Sequence, residues 1–161
     1  MITENYVSFE TAKLLKEKGF KEWCFHCYGV AVLHNGVDIS FDEECELKDE
    51  GRENEIEYVE GGRLYDYGCN NSDKDAKVWA APTLWVAMKW LREKHNYQII
   101  VTPEYGDVEY MPGQWQEEFL GWKYTIIPFN GNKSIMYPSV YSSTAESAYE
   151  AAIKYCLENL I

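Results

Sequence analysis

The sequence predicts an α+β fold: an antiparallel β-sheet with helices packed on one face, in a single domain over residues 1–161. Three observations predict it. Apolar residues recur at helical spacing near both ends and in the middle of the chain. Between those segments lie aromatic and β-branched runs bounded by Asn-Gly and Gly-Gly, the punctuation of antiparallel hairpins. Hydrophobic residues at 46% and charged residues at 26% match globular proteins, and 161 residues are enough to bury a core.

The first element is a helix over Phe9–Lys18, with Ser8 as its cap and Gly19 as a left-handed stop before Phe20. Trp23 to Leu33 then reads as strand, Asn35-Gly36 as a turn, and Val37–Phe41 as a returning partner with period-two alternation. After an acidic stretch, Ile56–Val59 and Arg63–Tyr65 are weak strands flanking Gly61-Gly62, and Cys69–Asp73 is loop. A second helix starts near Pro82 and ends at Asn96, with Leu84, Ala87, Met88, Trp90 and Leu91 on its core face. Tyr97–Thr102 is strand, and Tyr105–Gln116 reads as irregular. Trp122–Phe129 and Lys133–Val140 form a hairpin through Asn130-Gly131-Asn132, with Pro128 and Pro138 marking edges or bulges. The last helix opens on a capping box of Ser143 and Glu146. It places Ala148, Ala152, Ile153 and Cys156 on one face, and Glu150 and Lys154 as an i,i+4 pair on the other.

The net charge is −12. Ten acidic and two basic residues between Asp42 and Glu60 account for −8 of it, so the acidity is local. Such a balance argues against nucleic acid as a partner and against a polybasic membrane contact. No run approaches the ~18 apolar residues that span a bilayer, and the N-terminus has neither the basic start nor the apolar stretch of a secretory signal. With five cysteines at irregular spacing, the chain reads as cytoplasmic with reduced thiols.

Few residues point to chemistry. Cys24-Phe25-His26-Cys27 is the one metal-like arrangement, but on a strand residues three apart face opposite ways, so Cys24 and Cys27 read as small hydrophobes rather than zinc ligands. No phosphate loop, glycine-elbow serine or HExxH motif is present, so no catalytic residue and no cofactor is assigned. Two features point to protein contacts instead. Trp85 falls outside the core arc of its helix, near Lys89 and Arg92, where an exposed tryptophan anchors an interface unless a loop such as Tyr105–Gln116 covers it. The acidic segment 42–60 reads as a solvated loop or edge insertion, or more sharply as a mimic of nucleic-acid phosphate through Asp49, Glu50, Glu53 and Glu55.

The helix–three-strand–helix order from Pro82 to Ile161 resembles a double-stranded-RNA-binding domain, but the turn Ser143–Ser147 lacks the lysines that grip phosphate there. RNA binding is therefore rejected. Ser8–Phe20, Ala81–Leu84, Lys89–Glu93 and Thr144–Ile153 resemble small proteins of gut Bacteroides-type bacteria, their prophages and phages, a group with no assigned activity. The resemblance implies a mobile-element origin and an accessory or host-interaction role, and carries over no catalytic residue. The expectation is a non-enzymatic binding or accessory protein acting on a protein partner. The alternatives are an acidic inhibitor of a basic host protein and, in another class, a small hydrolase or metal-dependent enzyme.

Overall fold

The computed structural model describes residues 5–129 and 135–161, with the backbone course alone over 135–140. The fold is α+β, with four helices and two antiparallel sheets among the described residues where the sequence suggests one sheet. The chain divides into two compact units, Leu15–Pro82 and the pair of segments Met1–Leu14 and Thr83–Ile161. Helix α1 (Phe9–Glu17) carries the chain from one into the other. Among the described residues no helix is long and apolar enough to cross a membrane.

In the unit Leu15–Pro82, strand β1 (Cys27–His34) is central. It begins later than the sequence suggests: Trp23 and Phe25 are exposed, and Cys24 makes only an isolated bridge with Cys69. Asn35 and Gly36 both take positive φ, the geometry that closes a tight hairpin onto β2 (Val37–Asp38). That strand is short because Ser40 starts α2 (Phe41–Asp49), in a capping box with Glu43. The segment read as an acidic insertion thus holds a helix, a short 3₁₀ turn (Glu53–Glu55) and the start of β3 (Ile56–Tyr65).

The two weak strands around Gly61-Gly62 are one strand. Val30 faces Glu60 and Gly29 faces Arg63, so the two glycines form a bulge, with Gly61 at φ +68°. β4 (Trp79–Ala80) shares the other edge of β1 with β2. Lys16 is buried and donates to the carbonyls of Ala76 and Val78, its ammonium lying over the Trp79 ring.

In the second unit, Thr83 caps α3 (Leu84–His95), leaving Pro82 just ahead of the cap instead of inside the first turn. Asn96 in the left-handed region ends that helix. β5 (Tyr97–Met111), β6 (Gln114–Pro128) and β7 (Ile135–Ser142) pair antiparallel in the order β5-β6-β7. The expected hairpin of β6 with β7 is present, while its turn Asn130-Gly131-Asn132 lies outside the described residues. The segment Tyr105–Gln116 is not irregular: it is the tip of the β5–β6 hairpin, turned by Pro112 and a positive-φ Gly113.

Helix α4 (Ala145–Asn159) starts one residue later than the sequence suggests, capped by Thr144 with Ser147. It lies against β5 and β6 and buries Ala148, Ala152, Ile153, Cys156 and Leu157. Its Glu150 does not pair with Lys154. One carboxylate oxygen accepts from the Ser8 amide at 2.9 Å, the Ser8 hydroxyl at 2.6 Å and the Thr11 hydroxyl, placing negative charge at the start of α1.

Substitutions at two positions test this description. A Cβ on Gly29 would come within 2.5 Å of the Tyr65 ring, so Gly29→Ala should destabilise its unit by about 1–3 kcal/mol in urea denaturation. Glu150→Ala removes the acceptor of the buried Thr11 hydroxyl and should cost about 1–2 kcal/mol, with Glu150→Gln intermediate because its amide oxygen still accepts.

Candidate functional site

A groove of about 200 Å³ lies between α3 and β5. One wall is the α3 face bearing Trp85, Met88, Lys89 and Arg92. The other is four consecutive β5 residues, Gln98 to Val101, with Tyr149 of α4 at one side. Lining by consecutive strand residues means that the groove runs along the backbone edge of β5.

That edge is the open one. β5 pairs only with β6 among the described residues, so alternate residues turn their N–H and C=O groups away from the sheet. The Gln98 side chain donates to the Ile99 carbonyl at 2.9 Å, covering one such acceptor. Ile99 itself is buried while Ile100 is exposed, the alternation of a strand with one face in the core.

Trp85 is 65% exposed at this groove. The loop invoked to cover it is the hairpin tip, and Trp85 stays open. Its position follows from the helix: Leu84, Ala87, Trp90 and Leu91 take the buried face, leaving Trp85, Lys89 and Arg92 on the flank toward β5. Lys89 and Arg92 approach Glu93 only loosely, at 4.0 and 3.9 Å. They make a locally cationic wall on an acidic protein.

The acidic residues singled out in the sequence are arranged differently. Arg52 binds Glu50 at 3.1 Å and Glu55 at 2.8 Å, and His34 adds a contact to Glu55 at 3.0 Å. These partners pull the Glu55 carboxyl down to about 2, Arg52 first and His34 second. Glu44 holds Lys48 and the Tyr58 hydroxyl, and Glu43 is spent in the α2 cap. Asp49 and Glu53 are exposed.

Cys24 and Cys27 are both buried, as free thiols. The backbones of Cys24 and Cys69 exchange two hydrogen bonds of 2.9 Å. Burial pushes the Cys24 thiol up to about 11, helped by Glu22, and the Cys69 thiol up to about 12. Thiols held protonated are poor nucleophiles. Among the described residues no group of three His, Cys, Asp or Glu is arranged to hold a metal ion.

Sequence reasoning missed the β5 edge and the ribbon beyond it. The available signal was the period-two pattern from Tyr105 to Met111 followed by Pro112-Gly113. The local use of Glu55 is checked by a carboxyl titration followed by NMR. Glu55 should titrate near 2, below its ordinary 4.5, and Arg52→Gln should move it upward. Any stability it contributes is present above the ordinary carboxylate value and is lost as pH falls toward 2. Comparison of the chain with protein-family models, curated proteins and solved structures finds no significant match.

Proposed function

We propose that this is a non-enzymatic, cytoplasmic binding protein, an accessory protein of mobile-element origin that acts through protein contacts at the groove beside β5. The observation that carries the reading is the exposed Trp85 set against an unpaired strand edge. An extended segment of a partner can add as a further strand, its backbone satisfying the open N–H and C=O groups. Trp85 supplies the apolar anchor, and Lys89 and Arg92 favour an acidic residue in the incoming segment. The sequence resemblance described above supports the mobile-element origin.

The alternative, an acidic mimic of nucleic acid in segment 42–60, has less support, because Arg52 and His34 already engage Glu50 and Glu55. A hydrolase or metal-dependent enzyme has less still, given thiols held above 10.

Panning a display library of random extended peptides on the full chain tests the groove. Enriched peptides should carry an apolar residue and an acidic one. Trp85→Ala should weaken them by about 2 kcal/mol, roughly thirtyfold, and Lys89→Glu with Arg92→Glu should weaken them further. Enriched peptides indifferent to both changes, or no enrichment at all, would sink the proposal.

A further inference from the structure

The β5–β6 hairpin outruns the sheet that supports it. β7 pairs with β6 only between Trp122 and Ile126, so beyond Gly121 the ribbon has no third strand among the described residues. A two-stranded ribbon alone is marginal in water, yet every residue from Glu109 to Leu120 is exposed.

The register decides which side chains share a face. Tyr105 stands opposite Phe119, Asp107 opposite Glu117, and Glu109 opposite Trp115. Paired residues point the same way and alternate residues share a side, so these six form one face. At its inner end the Tyr105 and Phe119 rings meet edge-on at 5.6 Å, and Phe119 meets Trp122 at 5.9 Å. At its outer end Trp115 is 61% exposed. Between the aromatics lie three carboxylates, two of them directly across the ladder from each other.

That arrangement is unfavourable for the free ribbon. Like charges directly opposite on neighbouring strands are destabilising. The ribbon from Pro103 to Leu120 holds five carboxylates and no Lys or Arg. Glu104 at its base takes Lys123, but no cation among the described residues pairs with Asp107, Glu109 or Glu117.

We propose that this face is a docking surface for an arginine-rich segment of a partner protein. A guanidinium is flat enough to stack on the exposed Trp115, Tyr105 and Phe119 rings and forks onto paired carboxylates, here Asp107 and Glu117. Nucleic acid and anionic lipid carry the wrong sign. A second copy is disfavoured too, because the chain bears −12 overall and the ribbon has no cation of its own. The surface is separate from the groove and does not rest on the reading given for it.

The test titrates the full chain with a short synthetic arginine–glycine peptide by calorimetry, with a lysine–glycine peptide of equal charge alongside. The arginine peptide should bind more tightly. Asp107→Asn with Glu117→Gln should weaken it at least about tenfold while leaving the melting temperature unchanged or raised, since a repulsive pair is removed. Trp115→Ala should weaken it too, and Trp85→Ala should leave it unchanged. Asp49→Asn with Glu53→Gln makes the same change in net charge elsewhere and should alter affinity by no more than about twofold. Equal loss from the two charge-matched variants, equal binding of the lysine peptide, or self-association through the ribbon would each overturn the proposal.

Discussion

The antiparallel pairing of β5 with β6 is the interaction on which the rest of the second unit depends. Along its inner half, Ile99 and Ile126 sit directly across from each other, both buried, and α4 closes over them with its alanine-rich face. That burial holds the pair together, and both surfaces proposed above are what it leaves over. On one side it leaves the outer edge of β5 unpaired among the described residues, beside α3. Beyond Gly121 it leaves two strands with no third strand among the described residues. The groove and the ribbon are thus two consequences of one ladder longer than the core beneath it.

Charge divides along the same lines. The protein is strongly acidic, and in its densest acidic run, residues 42–60, five of the ten carboxylates are engaged within the fold: Glu43 in a helix cap, Glu44 by Lys48, Glu50 by Arg52, Glu55 by Arg52 and His34, and Glu60 by Lys77. The ribbon carries fewer carboxylates, but Asp107, Glu109 and Glu117 have no cation among the described residues and are interleaved with aromatic rings. The groove reverses the sign with Lys89 and Arg92. An acidic total therefore conceals one surface suited to a cationic segment and another suited to an anionic one. Density of charge in the sequence is a poor guide to which charges are free.

Elements with strong local signals were legible in the sequence. The caps and stops of α1, α3 and α4 fall within a residue or two of expectation because Ser8, Thr83, Asn96 and Thr144 act locally. Trp85 was legible for the same reason, since helical geometry alone sets which face it occupies. One failure was a competing local signal, and the others were long-range. Phe41 continues an alternating strand pattern, but the Ser40–Glu43 capping box turns it into the first residue of a helix. Glu150 looks paired with Lys154 until the fold brings α1 beside it. Tyr105–Gln116 looks like loop because its apolar residues are interrupted by acids, and only the pairing of β5 with β6 makes that alternation a face.

In the proposed reading, partners bind the β5–β6 ladder at its open edge and at its unsupported tip. Amide hydrogen exchange on the full chain, free and with a bound peptide, addresses it most directly, since it reports backbone by backbone where a ligand sits. The account predicts new protection over Gln98–Val101 with a groove peptide and over Tyr105–Phe119 with an arginine-rich one. Protection confined to Leu15–Pro82, with the ladder exchanging as in the free protein, would contradict it.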